Sequence, residues 1–179
     1  MFSDSVVKNF KLAVWIILLI IFQTVICKYI AVDGIIPDLM FVFIVSFVVL
    51  EEKFAYCVAI PVICGFLIDV LSRRAFGTGV LSYTYTALLC YALGEHFFKE
   101  KLWFAVPMIF LATFASESVF FLFSVSAFKI SMIFEAVKEV VLPTAIYNTA
   151  VTFLIYPILK KTIYSGGREL VRVPKNRNR

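Results

Sequence analysis

The chain alternates between long apolar segments and short polar interruptions, and this pattern predicts a bundle of membrane-spanning helices. Most of these segments are close to the ~20 residues that a helix needs to cross the hydrocarbon core of a bilayer. They are continuous, whereas a transmembrane β-barrel needs alternating segments of about 10 residues. The sequence therefore predicts an all-α integral membrane protein with a six-transmembrane-helix bundle. The predicted spans are 12–30, 35–50, 54–71, 79–97, 102–127 and 140–159.

The composition supports the same class of protein. Of the 179 residues, 62% are hydrophobic and 16% are charged, against about 45–50% and about 25% in soluble domains. A soluble core of this length could not bury so much apolar surface, because burial is limited by the ratio of surface to volume. Residues 1–27 have no small-residue cleavage site, so we expect a retained first span and not a signal peptide. We expect one domain, residues 1–164, followed by a basic and disordered tail, 165–179.

The distribution of basic residues predicts how the bundle is oriented. With six spans and both termini inside, twelve of the 17 Lys and Arg residues lie on the cytoplasmic side and five on the outer side. The positive-inside rule therefore predicts an N-in, C-in topology. On the outer side, segment 128–140 has apolar residues at helical spacing with Lys and Glu between them. It is predicted to be a short amphipathic helix on the membrane surface.

A proline and an aspartate lie at the start of the second span. Pro37 suits the first turn of a helix, where its missing N–H is not needed. Asp38 would then lie in the same turn, where the free N–H groups and the positive end of the helix dipole favour an anion. Asp38 has two interpretations at this point, a residue that only starts a helix and a residue with a further role.

The predicted topology brings a second carboxylate to a similar depth. Asp69 lies about one turn below the outer end of the third span, and Arg73 follows it by four residues on the same helical face. A cluster of Asp38, Asp69 and Arg73, or Arg74 in its place, is therefore predicted. Gly65 precedes Asp69 by four residues, and a small residue there would allow another backbone to approach closely. The sequence FGTG at 76–79 predicts a turn into the fourth span.

The fifth and sixth spans each carry a polar residue near mid-bilayer. Glu117 and Asn148 are predicted to reach a comparable depth. Ionisable groups inside a membrane usually face the bundle interior and are functional candidates. The alternative is a protonated Glu117 that is hydrogen-bonded to Asn148 or a tyrosine and serves only packing.

The sequence contains no recognisable catalytic set. The four cysteines lie in or beside apolar segments and are expected to behave as small hydrophobes. The single histidine, His96, is near several charged residues and has no nucleophile paired with it. No phosphate-binding loop or set of metal ligands is recognisable in the sequence. The chain is therefore predicted to be no enzyme and to use no cofactor or metal.

Three short motifs resemble the rod shape-determining MreD family: PDLMFVFIVSFVV at 37–49, GFLIDVLSRRAFGTG at 65–79 and IYN at 146–148. The family shows a G-x-x-x-D pattern in the third span, which Gly65 and Asp69 preserve. Glu117 has no counterpart in the motifs. By this resemblance, the positions that correspond to the family's motifs are Pro37, Asp38, Gly65, Asp69, Gly77 and Asn148.

The resemblance implies a component of the bacterial inner membrane. It implies a non-catalytic scaffold of the elongation (Rod) complex, which controls cell shape and lateral peptidoglycan synthesis. The implied partners are MreC above all, then MreB and the RodA and PBP2 class proteins, together with membrane lipid. It also implies a fold similar to the substrate-binding subunits of ECF transporters.

A solute-binding subunit of an ECF-type transporter is the alternative function. That class tends to carry a stripe of small residues in its first span, where it contacts the energising partner. Here the first half of the span contains only Ala13 as a small residue, which favours the scaffold. A small molecule that co-purifies with the protein would distinguish the two functions.

Overall fold

The computed structural model describes residues 2–27, 29–31, 34–71, 77–94, 102–124, 135 and 137–164, and the elements within them are helical. π-Helical stretches extend the first helix through Phe22–Ile26 and flank the last one at Val137–Val141 and Lys160–Tyr164. The six α-helices are α1 (Phe2–Ile21), α2 (Leu39–Leu50), α3 (Phe54–Leu71), α4 (Thr78–Gly94), α5 (Leu102–Ser124) and α6 (Leu142–Leu159).

Three of the described helical stretches are long and apolar enough to cross a membrane: Ser5–Ile26, Phe54–Leu71 and Val137–Tyr164. Their outer faces are apolar as well. Phe10 on α1 is 70% exposed, and Leu154 on α6 is 67% exposed. Large apolar surfaces of this kind are rare on soluble monomers and mark contact with lipid or with another protein. The protein is therefore a membrane protein.

The helix bounds differ from the apolar segments at both ends of the chain. The first helix begins at Phe2, well before residue 12, because a helix continues through polar residues that lie beyond the apolar part of its span. The last helical stretch begins at Val137 and so includes residues 137–140, which the sequence placed in a separate surface helix. Glu135 of that predicted helix is also described as helical, and residues 128–134 and 136 lie outside the described residues. So do Arg73, Arg74, His96 and the tail 165–179.

Helix α2 lies at the centre of the bundle. All twelve of its residues are buried, and it packs against α4, α5 and α6. Its length is about 18 Å at 1.5 Å per residue, shorter than the ~30 Å hydrocarbon core. A three-residue turn, Glu51–Lys53, joins α2 to α3, in agreement with the short gap between the predicted spans 35–50 and 54–71. However, α3 packs mainly against α4, so α2 and α3 are not chiefly each other's partners.

A buried ion pair connects the ends of three segments. Glu51 is only 3% exposed, and Lys8 Nζ on α1 lies 2.5 Å from its Oε2 atom. The Tyr164 hydroxyl at the end of the last helix donates to the same oxygen at 2.9 Å. The Lys53 backbone N–H donates to Glu51 Oε1 at 3.1 Å. The beginning of α1, the α2–α3 turn and the end of the α6 stretch therefore meet at one end of the bundle.

We expect Lys8→Met to lower the free energy of unfolding by about 1–2 kcal/mol. The methionine keeps most of the side-chain packing, but Glu51 loses its cation and retains only the Tyr164 and Lys53 donors. The matched control is Lys11→Met, because Lys11 donates only to the exposed Thr162 carbonyl. Unfolding in detergent micelles measures both variants. Equal effects of the two substitutions would show that the ion pair contributes nothing.

Candidate functional site

The first polar group of the site is Asp38, which caps the buried helix α2. Its backbone is not helical, with φ −92° and ψ 88°, and its carboxylate accepts the Phe41 backbone N–H at 3.0 Å. This is an N-cap arrangement, which supplies an acceptor to a donor that the helix leaves unpaired. The sequence placed Pro37 and Asp38 inside the first turn, and this is corrected. The helix begins at Leu39, because the Asp38 side chain binds the N–H group that an additional turn would need.

Two amide side chains complete the hydrogen bonds of the backbone in front of α2. Gln23 accepts the Leu39 N–H at 2.8 Å and donates to the Pro37 carbonyl at 3.1 Å. Asn148 on α6 accepts the Asp38 N–H at 2.9 Å. A helix end buried in protein must find such partners, because its first N–H groups have none within the helix.

The hydrogen bonds continue from the start of α2 to two further helices. The Tyr83 hydroxyl on α4 donates to Asp38 Oδ2 at 2.7 Å. The Asn148 amide donates to Thr113 on α5 at 3.3 Å. We call Gln23, Asp38, Tyr83, Thr113 and Asn148 the polar junction. It joins the extension of α1 and the N-cap of α2 to side chains on α4, α5 and α6.

A small cavity of about 20 Å³ lies beside the polar junction. Ser82 and Ser116 face it and share a hydrogen bond through their hydroxyl groups. Glu117, half-buried, is part of the same wall, together with Asp38 and Asn148. A polar cavity of this volume accommodates about one water molecule. The structure thus brings Glu117 and Asn148, which the sequence placed at a comparable depth, to one cavity together with Asp38.

A larger, open groove of about 1170 Å³ also borders Asp38 and Glu117, which it shares with the small cavity. One wall is formed by Gln23 and residues 34–36. The other is formed by the helical stretch Val137–Tyr164, which contains α6. We call it the α6 groove. Apart from Asp38 and Glu117 themselves, its polar residues include Glu139, Thr144 and Tyr147.

Asp69, the second predicted acid, caps a different helix. It is 4% exposed, and its carboxylate accepts three backbone N–H groups at the start of α4. The donors are Gly77 at 3.0 Å, Gly79 at 2.7 Å and Val80 at 3.1 Å. Gly77 has a φ of +95°, which residues with a side chain rarely adopt. Asp69 therefore fixes the first turn of α4 to the end of α3.

Two glycines bring α3 and α4 into close contact at this point. A Cβ atom on Gly65 would lie 2.6 Å from Val80 Cα, and one on Gly79 would lie 2.6 Å from Asp69 Oδ1. Both distances are well inside van der Waals contact. Glycine at these positions allows the two backbones to approach far enough for the Asp69 hydrogen bonds to form.

Asp38 and Asp69 have equivalent roles at the beginning of two separate helices. Asp38 caps α2 and Asp69 caps α4, and the structure records no hydrogen bond between them. Helix α4 connects them, because it begins beside Asp69 and carries Tyr83 one to two turns later. Arg73, the predicted third member of the cluster, lies outside the described residues.

Sequence reasoning missed Gln23 and Glu51. Gln23 is the one amide in an otherwise apolar stretch of the first span, and this isolation was a signal that it has a polar partner. Glu51 looked like an ordinary turn residue, because nothing local shows that it is buried or that Lys8 lies beside it.

Comparison with protein families gives a match over most of the chain. The model of the family described as "rod shape-determining protein MreD" matches residues 6–164. The chain belongs to the MreD family. MreD proteins are a shape-determining structural family, so the protein has a role in rod shape determination at the membrane. The matched residues contain the polar junction, Asp69 and the Lys8–Glu51 pair of this chain. Comparison with curated proteins and with solved structures finds no significant match.

Proposed function

We propose that the protein is a non-catalytic membrane scaffold of the bacterial elongation complex, acting through contact with MreC. MreB and the RodA and PBP2 class proteins would join through that contact. The observation that carries the proposal is how the polar groups of the motifs are used: Asp38, Asp69 and Asn148 all bind backbone N–H groups of this chain. Groups used in this way determine the shape of a surface and leave the chemistry to its partners.

We further propose a multi-pass protein of the inner membrane with six spans and both termini in the cytoplasm. The meeting of Lys8 and Tyr164 at Glu51 supports this arrangement, because it brings the beginning and the end of the described chain to the same end of the bundle. The excess of basic residues predicted on that side also agrees with the positive-inside rule.

In this proposal Asp38 shapes the surface that MreC recognises. Asp38→Ala removes both the cap of α2 and the acceptor of the Tyr83 hydroxyl. We expect at least a fivefold lower recovery of MreC with the tagged variant, and rounded cells in a strain that depends on it. Glu52→Ala, at an exposed position of the α2–α3 turn, is the control and should behave like the natural protein.

The amount of each variant in the membrane is measured in the same samples, so that loss of protein is not mistaken for loss of contact. Undiminished MreC recovery and rod shape in Asp38→Ala would contradict the proposed role of Asp38. The open α6 groove is the one observation that favours the alternative, a solute-binding subunit. A stoichiometric small molecule in mass spectra of the purified protein, with no MreC recovered, would favour that function.

A further inference from the structure

The α6 groove follows one face of the last helical stretch for three turns. Its lining includes Glu139, Pro143, Ile146 and Ala150, which recur at spacings of three and four residues and so share a face. Eleven residues separate the first from the last, about 16 Å along the helix axis. Ile146 is 61% exposed. The groove is therefore a long apolar trough, open at the surface of the bundle.

Carboxylates mark the two ends of this trough. Glu139 lies at one end and is exposed. Asp38 lies at the other end, at the level where Asn148 binds its backbone N–H. The described lining contains no Lys, Arg or His, and Lys138, which precedes Glu139, is exposed and does not line the groove. The groove thus pairs an apolar middle with negative charge at each end.

We propose that the α6 groove docks one membrane helix of a partner, with a Lys or Arg facing Asp38 and a second basic residue about three turns away, facing Glu139. This inference rests on the proposed scaffold function, in which the partner is MreC. The groove lining from Glu139 to Ala150 extends over about 16 Å, the length of three turns of a docked helix.

The charge pattern favours a helix over a lipid. The cationic headgroup of a lipid reaches only one end of the groove, and its acyl chain would then lie against the carboxylates at the other end, which is costly. A helix can carry basic residues at both depths. It also presents an apolar surface between them, which matches Val140, Pro143 and Ile146.

Photocrosslinking in intact cells tests the position of the partner. The full-length protein carries p-benzoylphenylalanine at Ile146 or Ala150 in the groove, or at Val70 or Ile63 as controls. The control positions are exposed apolar residues of α3, 59% and 49% respectively, and they do not line the groove. We expect at least tenfold more adduct with MreC at the two groove positions than at the two control positions.

Charge reversal tests the complementarity. Glu139→Lys should lower MreC recovery at least fivefold, and an acidic residue introduced at the facing position of the MreC helix should restore it. Glu135→Lys is the matched control, because Glu135 is exposed on the same segment and is not part of the groove lining. Equal recovery with the two variants would overturn the proposed charge pairing.

The outcomes separate this inference from the function on which it rests. If MreC co-purifies but crosslinks at Val70 or Ile63 and not in the groove, the docking site is wrong and the scaffold function stands. Adducts of Ile146 with phospholipid alone, while MreC co-purifies, also overturn the docking site. If no MreC is recovered with the natural protein, the scaffold function itself fails.

Discussion

Asp69→Ala is expected to lower the free energy of unfolding by about 3–5 kcal/mol. The carboxylate accepts three backbone N–H groups at the buried start of α4, and alanine would leave all three without an acceptor. An unsatisfied buried donor costs about 1–3 kcal/mol, and bonds to a charged acceptor are stronger than neutral ones. Some relaxation of the turn recovers part of this loss, which sets the upper end of the range.

Asp69→Asn is the graded control for this prediction. The asparagine side chain retains one acceptor oxygen and turns the other position into a donor that faces N–H groups. We therefore expect it to be destabilised, though less than Asp69→Ala. Thermal unfolding in detergent, followed by the loss of the monodisperse peak in size-exclusion chromatography, ranks the three proteins. An Asp69→Ala protein that unfolds together with the natural one would show that this cap carries no stability.

Gly65→Val is expected to cost about 3 kcal/mol and to act on the same contact from the other side. The Cβ atom alone would lie 2.6–2.8 Å from backbone atoms of Gly79 and Val80. Backbone cannot rotate away as a side chain can, so α3 and α4 must separate. Overpacking of this kind costs typically about 1–3 kcal/mol, and the separation also lengthens the Asp69 hydrogen bonds.

Ala59→Val is the matched control for Gly65→Val. It introduces the same residue type in the same helix at an exposed position, and its effect should stay within ~0.5 kcal/mol. If the Asp69 bonds are lost together with the contact, then Gly65→Val combined with Asp69→Ala will cost less than the sum of the two single changes. A strictly additive result would show that the glycine contact and the cap are independent.

The relation of Gly65 to Asp69 could be predicted because it is local. A spacing of four residues on a helix is enough to put both on one face. The same holds for the helical class and the tight turn after α2, which depend on continuous apolar runs and their polar interruptions. The target of Asp69 could not be predicted in this way, because its three donors lie 8, 10 and 11 residues further along the chain, beyond the reach of helical periodicity.

The polar junction depends on contacts between distant parts of the chain. Asn148 reaches a backbone N–H that is 110 residues away in sequence, and Lys8 reaches Glu51 across 43 residues. No spacing rule connects such pairs. The burial of α2 could not be predicted from the sequence either. A helix that is apolar on every side has the same sequence pattern whether lipid or protein surrounds it.

The enclosure of α2 has a consequence for how the protein is made. A ribosome completes α2 before it has begun α4, α5 or α6, which are the helices that surround it. The newly inserted α2 must therefore lie among lipids first and become enclosed only as later helices arrive. Its Asp38 backbone N–H finds its partner only when Asn148 has been synthesised. A chain that stops before that residue would leave the Asp38 N–H in front of α2 without its acceptor, a feature that proteases of the membrane can recognise as an unfinished product.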